Sequence, residues 1–297
     1  MITVSRNTAI TLLLLTTVFW GSSYPFTKAL TSIFSPLWVV TFRFGLAGLV
    51  LLVLVRKQIH TLRNASAHDL RLLCVLGLIN FLAILAFTTS LQQIEVTNSG
   101  FILSASLLLV PFLEYIFRGK PLLYTTLLGV ALLGMGLYIM SFGFSAPGAF
   151  RAGEGAAAVS ALLYAVYIIV LGALSKKFHA GLIMCCVFLF TAIAGAPIAW
   201  LVDGIPLVHF PAMRTCIDLV YLALIGTAIP YVLMGVGQRT LGNQTAAFIY
   251  ILEPVFATII ALLFFGEAVG AAKWVGAAII LTGQYIAIAG SKAQSSC

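Results

Sequence analysis

The stretch that decides the fold is written twice, as FILSASLLLVPFLEYIFRGKPLLYTTLLGVALLGMGLYI at residues 101–139 and as FIYILEPVFATIIALLFFGEAVGAAKWVGAAIILTGQYI at residues 248–286. A gapless shift of 147 aligns Phe101, Ile102, Gly119, Gly129, Ala131, Gly136, Tyr138 and Ile139 with identical partners. Several of these identities fall on small or aromatic residues, the types that set how closely two helices approach. Each copy is a pair of apolar runs that ends one half of the chain. A membrane chain built of two related halves, each with an odd number of spans, has to place those halves upside down to one another.

Working outward, apolar residues make up 62% of the chain and charged residues 8%, and the mean hydropathy is +1.12. A water-soluble domain would leave most of that surface exposed. Lipid is therefore the expected solvent. A span needs about 20 mainly apolar residues to cross roughly 30 Å of hydrocarbon, with its backbone hydrogen bonds made within the helix. Ten spans are predicted, near 9–31, 36–55, 71–91, 98–117, 121–141, 154–174, 180–202, 216–238, 244–265 and 271–290. The expected fold is an all-α, ten-helix polytopic membrane protein made of two inverted five-helix repeats, residues 1–145 and 146–297. The join is the Gly-, Ser- and Pro-rich stretch from Ser141 to Gly153. The first run, Thr8 to Leu30, is too long for a signal-peptide core and is read as a span.

Threading the spans with the N-terminus in the cytoplasm puts Arg6, Arg56, Lys57, Arg63, Arg71, Arg118, Lys120, Lys176, Lys177, Arg239 and Lys292 on the inner side, against Arg151, Arg214 and Lys273 outside. Both termini are expected to be cytoplasmic. The net charge of +8 is thereby explained by topology, and nucleic acid is not an expected partner. The five cysteines, Cys74, Cys185, Cys186, Cys216 and Cys297, have neither C-x-x-C pairing nor neighbouring histidines. They are read as free thiols, with no metal and no cofactor expected. No H-E-x-x-H, G-x-S-x-G, P-loop or G-x-G-x-x-G pattern occurs, so an enzyme is not expected and function has to lie among the helices.

Glu253 lies about ten residues into the ninth span, near mid-bilayer at about 1.5 Å per residue. Ionisable groups at that depth cost roughly 2.5–3.5 kcal/mol on insertion scales and face a cavity or a partner. Glu253 is read either as a proton-handling group or as a hydrogen-bonded structural acid. Arg43, some seven residues into the second span, either anchors an anionic group, carries its guanidinium up to the interface on its long stem, or ties helices together through their carbonyls. Trp20, Tyr24, Tyr164, Tyr167, Tyr231 and Tyr250 combine contact area with a polar tip and are pocket candidates, as are Asn80, Asn98, Gln238 and Gln284. Prolines within spans, Pro25, Pro111, Pro197, Pro230 and Pro254, each free the carbonyl four residues earlier, so Gly226 and Tyr250 are among the expected unpaired oxygens. Small residues four apart, including Thr125 with Gly129, Ala272 with Gly276 and Gly283 with Ala287, mark expected close helix contacts.

The segment from Phe19 to Lys28 (FWGSSYPFTK), then Pro36 and Phe42-Arg43-Phe44, resembles the opening of EamA-type members of the drug/metabolite transporter superfamily. Leu252-Glu253-Pro254-Val255-Phe256, Gly266-Glu267, Gly276 and Gly283 are similar to that family's closing helices. The resemblance implies a carrier in the bacterial inner membrane, often an exporter of amino acids, related metabolites or toxic organic compounds, working by alternating access around a central cavity. Its partners would be a small-molecule solute, the bilayer and, as a coupling ion, protons. The solute-site candidates are Trp20, Tyr24, Arg43, Asn80, Tyr164, Tyr231, Tyr250 and Glu253. A passive pore, a membrane-embedded enzyme and a non-transporting partner protein are the rival readings. The first half departs from the family pattern, because Ser106-Leu107 stands where the second half has Glu253-Pro254.

Overall fold

The computed structural model describes residues 4–94, 96–119, 121–143, 151–205, 213–265 and 270–294. Most of the predicted 141–153 join and Cys297 lie outside these residues. Among those described, the regular structure is helical: α1 (Arg6–Thr31), α2 (Pro36–Leu54), α3 (Ala67–Gln93), α4 (Val96–Arg118), α5 (Tyr124–Phe142), α6 (Ala152–Leu174), α7 (Ala180–Asp203), α8 (Met213–Ala223), α9 (Ile229–Leu241), α10 (Asn243–Tyr250), α11 (Glu253–Phe265) and α12 (Ala271–Gln294). A short 3-10 helix, Ile59–Asn64, joins α2 to α3.

The starts follow local chemistry. Ser5, Ser35 and Ser66 each precede a helix in extended conformation and accept a hydrogen bond from the backbone N–H three residues on. Pro36, whose missing N–H is no loss there, opens α2. Seven described helical stretches are long and apolar enough to cross a membrane: Arg6–Thr31, Pro36–Leu54, Ala67–Gln93, Ser99–Arg118, Ala152–Leu174, Ala180–Asp203 and Met213–Leu241, with Tyr124–Ile139 a shorter apolar helix. Large apolar side chains such as Leu49, Val53, Ile193, Leu201 and Val202 point outward, as expected where the surrounding solvent is hydrocarbon.

Two predicted spans are not simple helices. The stretch read as 216–238 widens into a π-helical segment, Leu224–Ala228, just before Pro230. The extra residue in that turn relieves the clash between the proline ring and the carbonyl four residues back. The stretch read as one helix over 244–265 is two, because Ile251 and Leu252 leave the helix ahead of Glu253 and Pro254.

α5 and α12 pack together so closely that side chains would not fit at several points. An ideal Cβ on Gly129 would lie 2.6 Å from Ala287 Cβ and 3.0 Å from the Gly283 carbonyl. One on Gly136 would lie 2.8 Å from the Gly276 carbonyl and 2.9 Å from the Ile280 nitrogen. The contacts are reciprocal: Gly129 and Gly136 are the 147-shift equivalents of Gly276 and Gly283, and each meets the equivalent of the other, the pattern a twofold axis gives.

Gly136→Val is expected to force α5 from α12 at a cost of about 1–3 kcal/mol, and to lower the melting midpoint in detergent by about 2–4 °C per kcal/mol. Gly134→Ala, whose Cβ would meet only Leu108 Cδ1 at 3.5 Å, leaves that midpoint unchanged or higher. Fluorescence-monitored melting of the two variants checks the pair.

Candidate solute site

Eight helices converge on one interior cavity. Its wall is formed by Trp20, Ser23 and Tyr24 of α1, Arg43 of α2, Ile84 and Phe87 of α3, Leu103, Ser104, Ser106 and Leu107 of α4, Tyr164 of α6, Tyr231 of α9, Tyr250 of α10 and Glu253 at the start of α11. The space open to the centre of a water-sized sphere is about 40 Å³, room for roughly three waters at 10–15 Å³ each.

Trp20 stands at the centre of an aromatic cluster. Its ring centroid is 6.1 Å from that of Tyr164, 5.4 Å from Tyr231 and 5.5 Å from Tyr250, all in edge-on or tilted geometry, the arrangement ring quadrupoles favour. Tyr24 packs on Phe87, with centroids 5.3 Å apart, and donates its hydroxyl proton to Glu253 Oε1. That bond connects α1 to the interrupted helix. Glu253 also occupies the first turn of α11, where the helix dipole favours negative charge.

Arg43 is 5% exposed. Its Nε donates to Thr227 Oγ1 at 2.5 Å and its Nη2 to the Gly226 carbonyl at 2.9 Å. Gly226 is the residue whose oxygen Pro230 was expected to release, so the arginine answers the gap made by the proline. The guanidinium lies over the Phe44 ring at 5.4 Å. Neither ion pair within 4.0 Å among the described residues, Arg118 with Glu114 and Lys177 with Asp69, involves Arg43. A guanidinium, four aromatic hydroxyls and one carboxyl group thus share a small apolar-walled space.

Three further polar atoms on this wall, Trp20 Nε1, Ser106 Oγ and Tyr250 Oη, are buried without a hydrogen-bond partner among the described residues. Orphaned buried donors cost about 1–3 kcal/mol each, and a solute offering acceptors satisfies them.

Of the eight candidates, seven line the cavity and Asn80 does not. Asn80 Nδ2 donates to Thr191 Oγ1 of α7 at 3.0 Å, so it joins two helices away from the site. Tyr167, another pocket candidate, turns aside with its hydroxyl 3.5 Å from Met184 Sδ. Lys28 reaches the Ile94 carbonyl at 3.4 Å. Cys74, Cys185 and Cys186 are free thiols. Ser23, Ser106 and Phe87 escaped the sequence reading. Ser106 carried a usable signal, since it is the 147-shift equivalent of Glu253; Leu103 is likewise the equivalent of Tyr250, and all four line the cavity.

Comparison with known proteins agrees with this geometry. The chain is 25% identical over 235 residues to an uncharacterized transporter of Archaeoglobus fulgidus, covering 76% of this chain and 79% of that protein. It is 22% identical over 299 residues to an uncharacterized transporter of Clostridium kluyveri, covering 94% and 93%. Its fold matches a crystal structure described only as that of a protein, with a TM-score of 0.80 over 98% of this chain and 99% of the other at 17% identity. The EamA-like transporter family model matches twice, over residues 7–142 and again over 151–289, and the chain belongs to that family, a multi-pass membrane protein of the drug/metabolite transporter superfamily.

Proposed function

We propose that this transporter is a secondary carrier of the bacterial inner membrane that exports a small amphipathic metabolite, an amino acid or a related compound, by alternating access. The observation that carries this reading is the convergence of Arg43, Glu253 and the Trp20-centred aromatic cluster on one cavity. The Arg43 guanidinium, with the donors of Trp20, Ser106 and Tyr250, suits a carboxylate. Glu253 suits an ammonium group. The ring faces and Leu107 suit an apolar body.

The double family match over 7–142 and 151–289 supports two related halves, 1–145 and 146–297. The reciprocal glycine contacts between α5 and α12 support the inverted relation of five spans to five, with both termini in the cytoplasm by the distribution of Lys and Arg. A chamber open to only about three waters favours a carrier over a continuous pore. Glu253, the carboxylate on the cavity wall, is the proposed proton-handling group, released from Tyr24 as solute binds.

Purified protein in sealed vesicles tests the carrier directly. Saturable, counterflow-competent uptake of an amino acid or analogue is expected; flux that rises without saturation contradicts it. Glu253→Gln is expected to keep counterflow but lose its response to an imposed pH gradient, and an unchanged response removes the proton role. Tyr250→Phe deletes a hydroxyl that no described residue uses, so it leaves stability unchanged or higher while raising the solute KM about two- to tenfold. Asn80→Ala does the reverse: it costs about 1–3 kcal/mol of stability and leaves KM unchanged. Melting and uptake measured on the same preparations separate the two.

A further inference from the structure

One layer away from the cavity, polar groups of four helices meet in a second buried cluster. Glu114 of α4 is 1% exposed. Its Oε1 accepts from Asn243 Nδ2 at 2.9 Å and pairs with Arg118 Nη1 at 3.2 Å. Gln238 Nε2 of α9 donates to Asn243 Oδ1 at 2.8 Å and to the Ile168 carbonyl of α6 at 2.6 Å. Arg118 Nη2 donates to the neighbouring Ile169 carbonyl at 3.2 Å. Gly172 makes the room, since a Cβ there would fall 1.8 Å from Asn243 Oδ1.

Three helices give the same position for this cluster. Glu114 follows Leu107 by seven residues, Gln238 follows Tyr231 by seven, and Asn243 precedes Tyr250 by seven. At 1.5 Å per residue the cluster lies about 10 Å from the cavity along each axis. The direction is toward the end of the bundle where α1 begins, because a Cβ on Gly237 would lie 3.2 Å from the Ala9 carbonyl. Between cavity and cluster, Val110, Met234 and Ala247 are fully buried and form an apolar plug. Beyond the cluster, the Arg118 side chain is 26% exposed, so the network reaches the molecular surface at that end.

Glu114 and Arg118 belong to the first half of the chain, and Gln238, Asn243 and the α6 carbonyls to the second. The geometry points to a gate: Glu114, Arg118, Gln238 and Asn243 form a polar lock that holds the cavity closed at the end where α1 begins, and it parts when a solute passes that way. The lock rests on the alternating-access reading. Its polar character suits the task, because water entering as the helices separate replaces each broken bond, whereas a parted apolar seam would be left wet.

The test uses the full-length chain with its five cysteines changed to alanine and Ser104→Cys placed on the cavity wall. Reconstituted protein is labelled with a membrane-impermeant methanethiosulfonate cation applied from one side at a time. Asn243→Ala removes the hub of the lock, and Gly172→Ala displaces the hub without removing a polar group. Both are expected to accelerate labelling from the α1-start side about tenfold, the worth of about one buried hydrogen bond, and to slow labelling from the opposite side. Glu114→Gln, whose amide oxygen still accepts from Asn243, gives a smaller shift in the same sense. Unchanged rates in Asn243→Ala and Gly172→Ala overturn the lock, and so does an equal rise from both sides, the mark of a merely loosened bundle. A reporter reached from neither side in any form, parent included, instead sinks the alternating-access reading itself.

Discussion

Lipid offers no hydrogen bonds, so each backbone carbonyl that a proline releases has to be answered from within the bundle. The bond from Arg43 Nη2 to the Gly226 carbonyl is where this demand shapes the site. Pro230 makes the gap, the π-helical segment Leu224–Ala228 absorbs the misfit, and the arginine that fills it sets its guanidinium on the cavity wall. The second interruption, at Ile251 and Leu252 ahead of Pro254, sets Glu253 at the start of a new helix within reach of Tyr24. On the proposed solute site, the structural demand and the solute chemistry would fall on the same two residues.

Much of this was legible in the sequence for reasons that are local. The length of the apolar runs placed α1, α2, α3, α6 and α7 within a few residues. The prolines identified Gly226 as an exposed oxygen. Sequence does not say whether a helix answers a proline by bending, by widening or by breaking, since that depends on which neighbour supplies the missing donor. Pro25 is accommodated inside α1, while Pro230 follows a π segment and Pro254 follows a break. Rotation about a helix axis was also hidden. Asn80 shares α3 with Ile84 and Phe87, yet Thr191 of α7 claims its amide, and the cavity begins one turn further on. Glu114 sits four residues before Arg118 near a helix end, a spacing that gives no hint of burial, and its partner on α10, Asn243, lies 129 residues away.

The two halves share a frame and differ in chemistry. Leu103 and Ser106 stand where Tyr250 and Glu253 stand in the other copy, so one side of the chamber offers an apolar surface and a hydroxyl, the other a phenol and a carboxylate. Duplication accounts for the reciprocal seam between α5 and α12, remote from the site, where only small residues fit. Divergence accounts for the polarity of the chamber, which suits the proposed solute with distinct ends better than a symmetric one.

The central claim is that Arg43 and Glu253 bracket a solute within the Trp20-centred chamber. A solute-bound structure tests it most directly: the account predicts an acidic group of the solute within hydrogen-bonding reach of the Arg43 guanidinium and a cationic or donor group at Glu253, with Tyr24 displaced. Solute bound elsewhere, with the Tyr24–Glu253 bond intact and the chamber holding only water, would contradict it.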